Sequence, residues 1–118
     1  MTNFSMMKIN KNEIWLAKLN PGYGTELGKT RPVVIIQSDF LNNYLPSVII
    51  CPVTSQILLE LKILRVHLQE GQIDKASDIL VDQIRAIDQR RLIKKVGQLN
   101  SRQINLLNEN IKIVLDLN

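Results

Sequence analysis

One histidine, His67, and one cysteine, Cys51, are all this sequence holds of the side chains that most often carry nucleophilic and metal chemistry. They make no Cys/His zinc cluster and no Cys–His nucleophile arrangement of the usual spacing. The carboxylates are scattered and give no evident pair for two-metal hydrolysis. Gly22, Gly24 and Gly28 lie in a GYGTELGK stretch, but the segment after them reads as a strand, so no helix N-terminus meets a phosphate there. One class of reaction tolerates this poverty. RNA brings its own nucleophile, the 2′-hydroxyl, beside the scissile phosphate, and preorganised cationic and hydrogen-bonding groups do most of the remaining work without a metal. An arginine at the mouth of a loop and a threonine at a strand end suffice in principle, because the planar guanidinium fork matches phosphoryl oxygens.

The elements that must position such groups can be read from the apolar pattern. Glu13 to Leu19 reads as a strand apolar on both faces, broken by Asn20-Pro21-Gly22-Tyr23-Gly24. The connection then runs on to Thr30, long for a hairpin, and long ordered loops are more often functional than idle. Pro32 to Gln37 and Val48 to Val53 are β-branched runs read as buried strands, with Pro52 implying a strand end or bulge. Ser38 to Leu45 reads as a turn or single helical turn capped by Ser38 or Asp39. Ile63 to Leu68 and Ile79 to Ile87 read as further strands, and Lys95 to Leu99 as a short last one. From Ser101 the residues Ile104, Leu107, Ile111, Val114 and Leu115 recur at helical steps, with Ser101 as N-cap and Asn100 the competing choice. The fold class is mainly β (α+β): a small β-barrel or twisted antiparallel sheet with a C-terminal helix.

With 118 residues there is room for one domain and one core, residues 1–11 being a loose lead-in. Hydrophobic residues at 45% against 22% charged argue for a globular chain rather than a disordered one. No apolar run is long enough to span a bilayer or serve as a secretory signal, and the lone cysteine fits a reducing, cytoplasmic setting. The net charge of +4 is concentrated: Arg85, Arg90, Arg91, Lys94, Lys95 and Arg102 face only Asp88 as a nearby acid. Such clustering is either a solvated face or a seat for a polyanion or acidic protein.

Four segments, in order from Asn12, carry a family likeness: NEIWLAKLNPGYGTELGKTRPVVIIQ, VIICPVTSQ, ILVDQIRAIDQRRLIKKVGQL and the final helix. Together they resemble the MazF/PemK toxins of toxin–antitoxin pairs. Any one motif alone is weak; the combination is specific. The resemblance implies an SH3-like barrel, usually a homodimer, acting as an mRNA interferase. Such an enzyme cuts single-stranded RNA at short sequences without metal or other cofactor, leaving 2′,3′-cyclic phosphate and 5′-hydroxyl ends. It implies that Arg31 stabilises the phosphorane and that Thr54 hydrogen-bonds the same phosphate. Glu26, Lys29 and Thr30 would belong to a loop covering the RNA groove, Ser55 and Gln56 would contact phosphate or base, and Asp82 and Gln83 would line the groove. The implied partner is an acidic antitoxin segment that folds across the dimer groove.

Plainer readings stand beside these. Alone, Arg31 before Pro32 is better read as pinning the loop through an ion pair with Glu26, and Thr54-Ser55 as an ordinary strand-ending turn; the combined segments reverse the first of these. Asp82 is equally a structural anchor. His67 reads as a half-buried strand histidine, and Trp15 as core or dimer interface. Two rival functions remain: a gyrase-inhibitor-like binding toxin of the CcdB type, less similar at Arg31 and Thr54, and a catalytically silent relative.

Overall fold

The computed structural model describes residues 8–19, 24, 28–58, 60–61 and 63–118. Seven strands and two helices succeed one another: β1 (Glu13–Lys18), β2 (Thr30–Ile35), α1 (Asp39–Asn42), β3 (Ser47–Thr54), β4 (Arg65–Leu68), β5 (Ser77–Leu80), β6 (Arg85–Asp88), β7 (Leu92–Gln98) and α2 (Ser101–Leu115). The sheet order is β4-β5-β3-β2-β1-β7, with β6 also lying on β3, and every strand pairing is antiparallel.

Strand β3 organises the rest. Its β2-facing edge pairs Ile50, Cys51 and Pro52 with Ile35, Val34 and Val33. Its other edge is shared: Ser47–Ile50 pair with β6, and Val53 and Thr54 pair with β5. If the Ile50–Arg85 register ran on, Val53 would face Asp82; it faces Ile79, so three residues are looped out as the 3-10 turn Val81–Gln83. The single strand expected over Ile79 to Ile87 is therefore two strands on one edge with this turn between them. Pro52 sits inside β3 rather than ending it. The Ile49 carbonyl accepts from Ile36 and Gln37 on the β2 side, so by alternation Pro52's missing N–H falls on the shared edge, in the gap between the two partners.

The five-stranded run β6-β3-β2-β1-β7 has its two end strands joined by only Gln89–Arg91. So short a link obliges the sheet to curl until those ends approach. Register shifts in the β1–β7 ladder at Ile14/Trp15 and Leu16/Ala17 add local twist. Strand alternation then deals side chains to two cores. Trp15, Ala17, Val33, Ile35, Val48, Ile50, Ile87 and Leu92 share one, which Ile9 joins, while Ile14, Val34, Cys51, Val53, Val66, Leu68 and Ile79 share the other with Leu107 of α2. This is why β1 and β2 are apolar on both faces, and it settles Trp15 as a core residue.

Helix α2 begins with Asn100, not Ser101, as N-cap: its side chain accepts from Gln103 N–H while the Gln103 side chain bonds back to Asn100 N–H. Ile104, Leu107, Ile111 and Val114 pack on the core, whereas Leu115 is exposed and lies off the stripe. Short helix α1 has Ser38 as its cap, accepting from Phe40 N–H. The last strand starts earlier than expected, at Leu92, so it takes in Lys94 as well as Lys95. The loop between β4 and β5 turns through Gly71 at φ 99° and docks on β7, where the Gln72 side chain donates to the Gln98 carbonyl at 3.1 Å.

Two outcomes are expected for stability. Leu107→Ala should cost about 2–5 kcal/mol, since the side chain is fully buried at the helix–sheet seam; a denaturant melt showing almost no loss would mean that α2 contributes little. At Gly97 an added Cβ would stand 2.8 Å from the Gln72 carbonyl oxygen, a backbone atom. Gly97→Ala should therefore destabilise by about 1–3 kcal/mol, and an unchanged melting temperature would show that this loop is free to yield.

Candidate active site

Arg31 is the second residue of β2, paired across the ladder with Ala17. Pro32 after it disfavours a helical backbone and so holds Arg31 extended. The Arg31 side chain is half-buried, and its Nε donates to the Gly28 carbonyl at 2.9 Å. The backbone reaches β2 through Lys29, whose φ of 65° is left-handed and whose carbonyl accepts from Leu19 N–H at 2.7 Å. Thr30, the first strand residue, is exposed and pairs with Lys18. Glu26 lies outside the described residues, as does any ion pair it would make with Arg31.

Thr54 closes β3. Continuing the β2–β3 register two positions past Val33–Pro52 aligns Thr54 with Arg31. Cross-strand positions of this kind hold their Cβ atoms about 4.5–5.5 Å apart while the pairing lasts. Thr54 is buried, and its Oγ1 accepts the Gln56 N–H at 3.1 Å, a local side-chain turn. With that lone pair engaged, the hydroxyl hydrogen is left to donate elsewhere. Ser55 and Gln56 are exposed.

A groove of about 440 Å³ opens where β2 and β3 end. One wall carries Lys29, Thr30, Arg31 and Ser55; the facing wall is the loop before β5, with Asp74 and Lys75, and Ser77 at the start of β5, over a floor that includes Leu16 and Val96. Three cations against one carboxylate favour an anionic occupant. Thr54, Gln56, Asp82 and Gln83 do not line it. Asp82 is exposed on the looped-out turn beside β3, near enough for its carboxylate to act on Cys51. Burial first, then that carboxylate, pushes the Cys51 thiol up to about 12, so the residue is a packed side chain rather than a thiolate nucleophile.

A second polar cluster lies on the far side of Thr54. Asp78 of β5 is Thr54's register partner and faces His67 of β4. Its buried carboxylate meets Arg65 Nη1 at 3.4 Å and His67 Nδ1 at 3.0 Å. Arg65 also donates to the Gln56 carbonyl. Reading the sequence alone misses Arg65, Asp78 and Lys75. No motif marks them, although an Asp in the otherwise apolar run SDILV was a signal of a buried partner. His67 is half-exposed on its strand. In the basic stretch, Arg90 pairs with Asp88 at 2.8 Å, Lys95 with Glu13 at 3.1 Å, and Arg91 donates to the Lys18 carbonyl at 3.1 Å. These three are tied to the protein's own acceptors, and none of them lines the groove.

Residues 10–115 match the family described as PemK-like, MazF-like toxin of type II toxin-antitoxin system. The chain is 37% identical over 111 residues to an Endoribonuclease MazF of Staphylococcus saprophyticus, covering 92% of each. The fold resembles that of MazF from Deinococcus radiodurans, with a TM-score of 0.82, 19% identity and coverage of 94% of this chain and 99% of that one. It also resembles a mycobacterial endoribonuclease solved with its cognate antitoxin, with a TM-score of 0.73, 16% identity and coverage of 96% and 98%. No helix among the described residues is long and apolar enough to cross a membrane. With the family match spanning nearly all of the chain and the relative 37% identical over 92% of it, this protein belongs to the PemK/MazF family of toxins of type II toxin–antitoxin systems.

Proposed function

We propose that this chain is a metal-independent endoribonuclease that cuts single-stranded RNA in the cytoplasm, leaving 2′,3′-cyclic phosphate and 5′-hydroxyl ends. What carries this reading is that Arg31 lines a cationic groove at the end of β2, and that the β2–β3 register, carried two positions past Val33–Pro52, brings Thr54 opposite it. The 2′-oxygen attacks phosphorus and the bond to the 5′-oxygen breaks. The nucleophile loses a proton and the leaving oxygen gains one. Negative charge builds on the equatorial oxygens between these events, and a fixed guanidinium beside them stabilises that state more than the starting diester. Arg31 supplies the guanidinium, oriented by its bond to Gly28. Thr54 supplies a neutral donor to the same phosphate.

The flanking phosphates and bases fall to Lys29, Thr30, Ser55 and Gln56, with Lys75 added from the facing wall. By family resemblance Glu26 completes the loop over the groove, and Asp82 and Gln83 extend its border. The working form in this reading is a homodimer neutralised by an acidic antitoxin segment. An exposed apolar groove lined by Ile49, Ile111 and Leu117, among others, supports an interface on this protein.

The test is to incubate the purified protein with mixed single-stranded RNA in excess chelator and to analyse the fragment ends. Discrete cuts ending in cyclic phosphate are expected. Arg31→Ala should lower the rate by about 100-fold or more while leaving the melting temperature near that of the wild type. An equally active Arg31→Ala protein would remove Arg31 from the mechanism. His67→Ala should cut near the wild-type rate, because the residue lies beyond Asp78 and outside the groove; a loss of several orders of magnitude with the fold intact would make it a participant. No cleavage over a broad set of sequences would favour a protein-binding toxin.

A further inference from the structure

The turn after Thr54 is poorly secured by packing. Ser55 and Gln56 are both exposed, yet the turn sets the direction of the Thr54 hydroxyl through the Gln56 N–H. What holds it from the other side is Arg65. This side chain, only 14% exposed, bonds the Gln56 carbonyl and the Asp78 carboxylate with the same Nη1. Asp78 is 3% exposed and sits directly opposite Thr54 in the β3–β5 ladder. Strand pairing thus fixes Thr54 on one side, and the Arg65–Asp78 pair fixes Gln56 on the other.

The pair is a poor candidate for a device that serves stability alone. A buried ion pair often contributes no more than apolar side chains of the same volume. β4 and β5 are already held by four register pairs, and by Val66, Leu68 and Ile79 in the core. The bond that no apolar replacement can supply is the one to the Gln56 carbonyl.

We propose that Arg65 and Asp78 are positioning residues for Thr54: Asp78 orients the Arg65 guanidinium, which holds the Gln56 carbonyl and with it the backbone of residue 56, whose N–H, in the preceding peptide unit, occupies the Thr54 hydroxyl oxygen and leaves the hydroxyl hydrogen for the phosphate. This rests on the reading of Thr54 as a phosphate donor. Neither residue touches the substrate. His67 is a second partner of Asp78 and is not required, because Arg65 stays on the carboxylate without it.

The experiment measures the same chain in two ways. Amide exchange at Gln56, followed by NMR without RNA, should quicken by about tenfold or more in Arg65→Met and Asp78→Asn. Turnover on one RNA should fall about 10- to 100-fold in kcat, with KM within about twofold. In a Thr54→Ala background, Arg65→Met should change nothing further, since the residue it positions is gone. If Arg65→Met unfolds the chain, the double variant Arg65→Met/Asp78→Leu, which leaves neither charge buried alone, replaces it with the same expectations. Wild-type exchange at Gln56, or an equal kcat loss with and without Thr54, would overturn the proposal. If Thr54→Ala is inactive but Arg65→Met is fully active, the positioning role fails while the reading of Thr54 stands. If Thr54→Ala itself keeps the wild-type rate, the reading of Thr54 fails and takes the positioning role with it.

Discussion

The shared edge of β3 is the constraint on which the rest of this structure depends. Two strands consecutive in the chain both bond that edge, β5 at its end and β6 at its start. Pro52 has no N–H to offer between them, so a gap in the ladder there forfeits less than it would elsewhere. Three residues leave the sheet at that gap. Above it, β6 runs on to the short link that closes the curl with β7. Below it, β5 and β4 extend the sheet beyond the curl and carry Asp78 and Arg65 to Thr54. One interruption in one ladder thus separates the curled body from the extension that borders the site.

The site takes its place where those parts meet. Arg31 and Thr54 lie at the ends of β2 and β3 that emerge from the curl, two positions past the last ladder pair Val33–Pro52, and both strands are anchored by two cores packed on opposite faces. The facing wall of the groove is a loop docked on β7, with Ile73 buried in the α2-side core and Gln72 bonded to Gln98. Both walls therefore rest on the same sheet. Preorganisation of this kind lets a guanidinium and a hydroxyl act on a phosphate without reorganising as charge develops.

The chemistry matches the inventory. A chain with one histidine and one buried cysteine cannot rely on a thiolate or a histidine pair. An arginine stays charged across the physiological range and asks only to be aimed. Aiming is what the structure spends its polar contacts on: the Gly28 carbonyl on Arg31, the Gln56 amide on Thr54, and a buried ion pair behind that amide.

The sequence by itself determined the strands apolar on both faces, the C-terminal helix and the motif segments that carry Arg31 and Thr54. Those depend on period-two and helical spacing and on residue types, which are local properties. Tertiary structure decided what local pattern cannot carry. Ile79 to Ile87 reads as one strand, and the sharing of one edge of β3 between two partners breaks it at Val81–Gln83, turning Asp82 to the surface. Asn100 rather than Ser101 caps α2 because the capping residue is the one whose backbone is still extended, with Gln103 three places on to answer it. Lys75, Arg65 and Asp78 bear on the site through loop docking and cross-strand register, both long-range, and no motif in the chain announces them. Sequence could name candidate side chains; only pairing between distant strands could say which of them come together, because register is a relation between segments and not a property of either one.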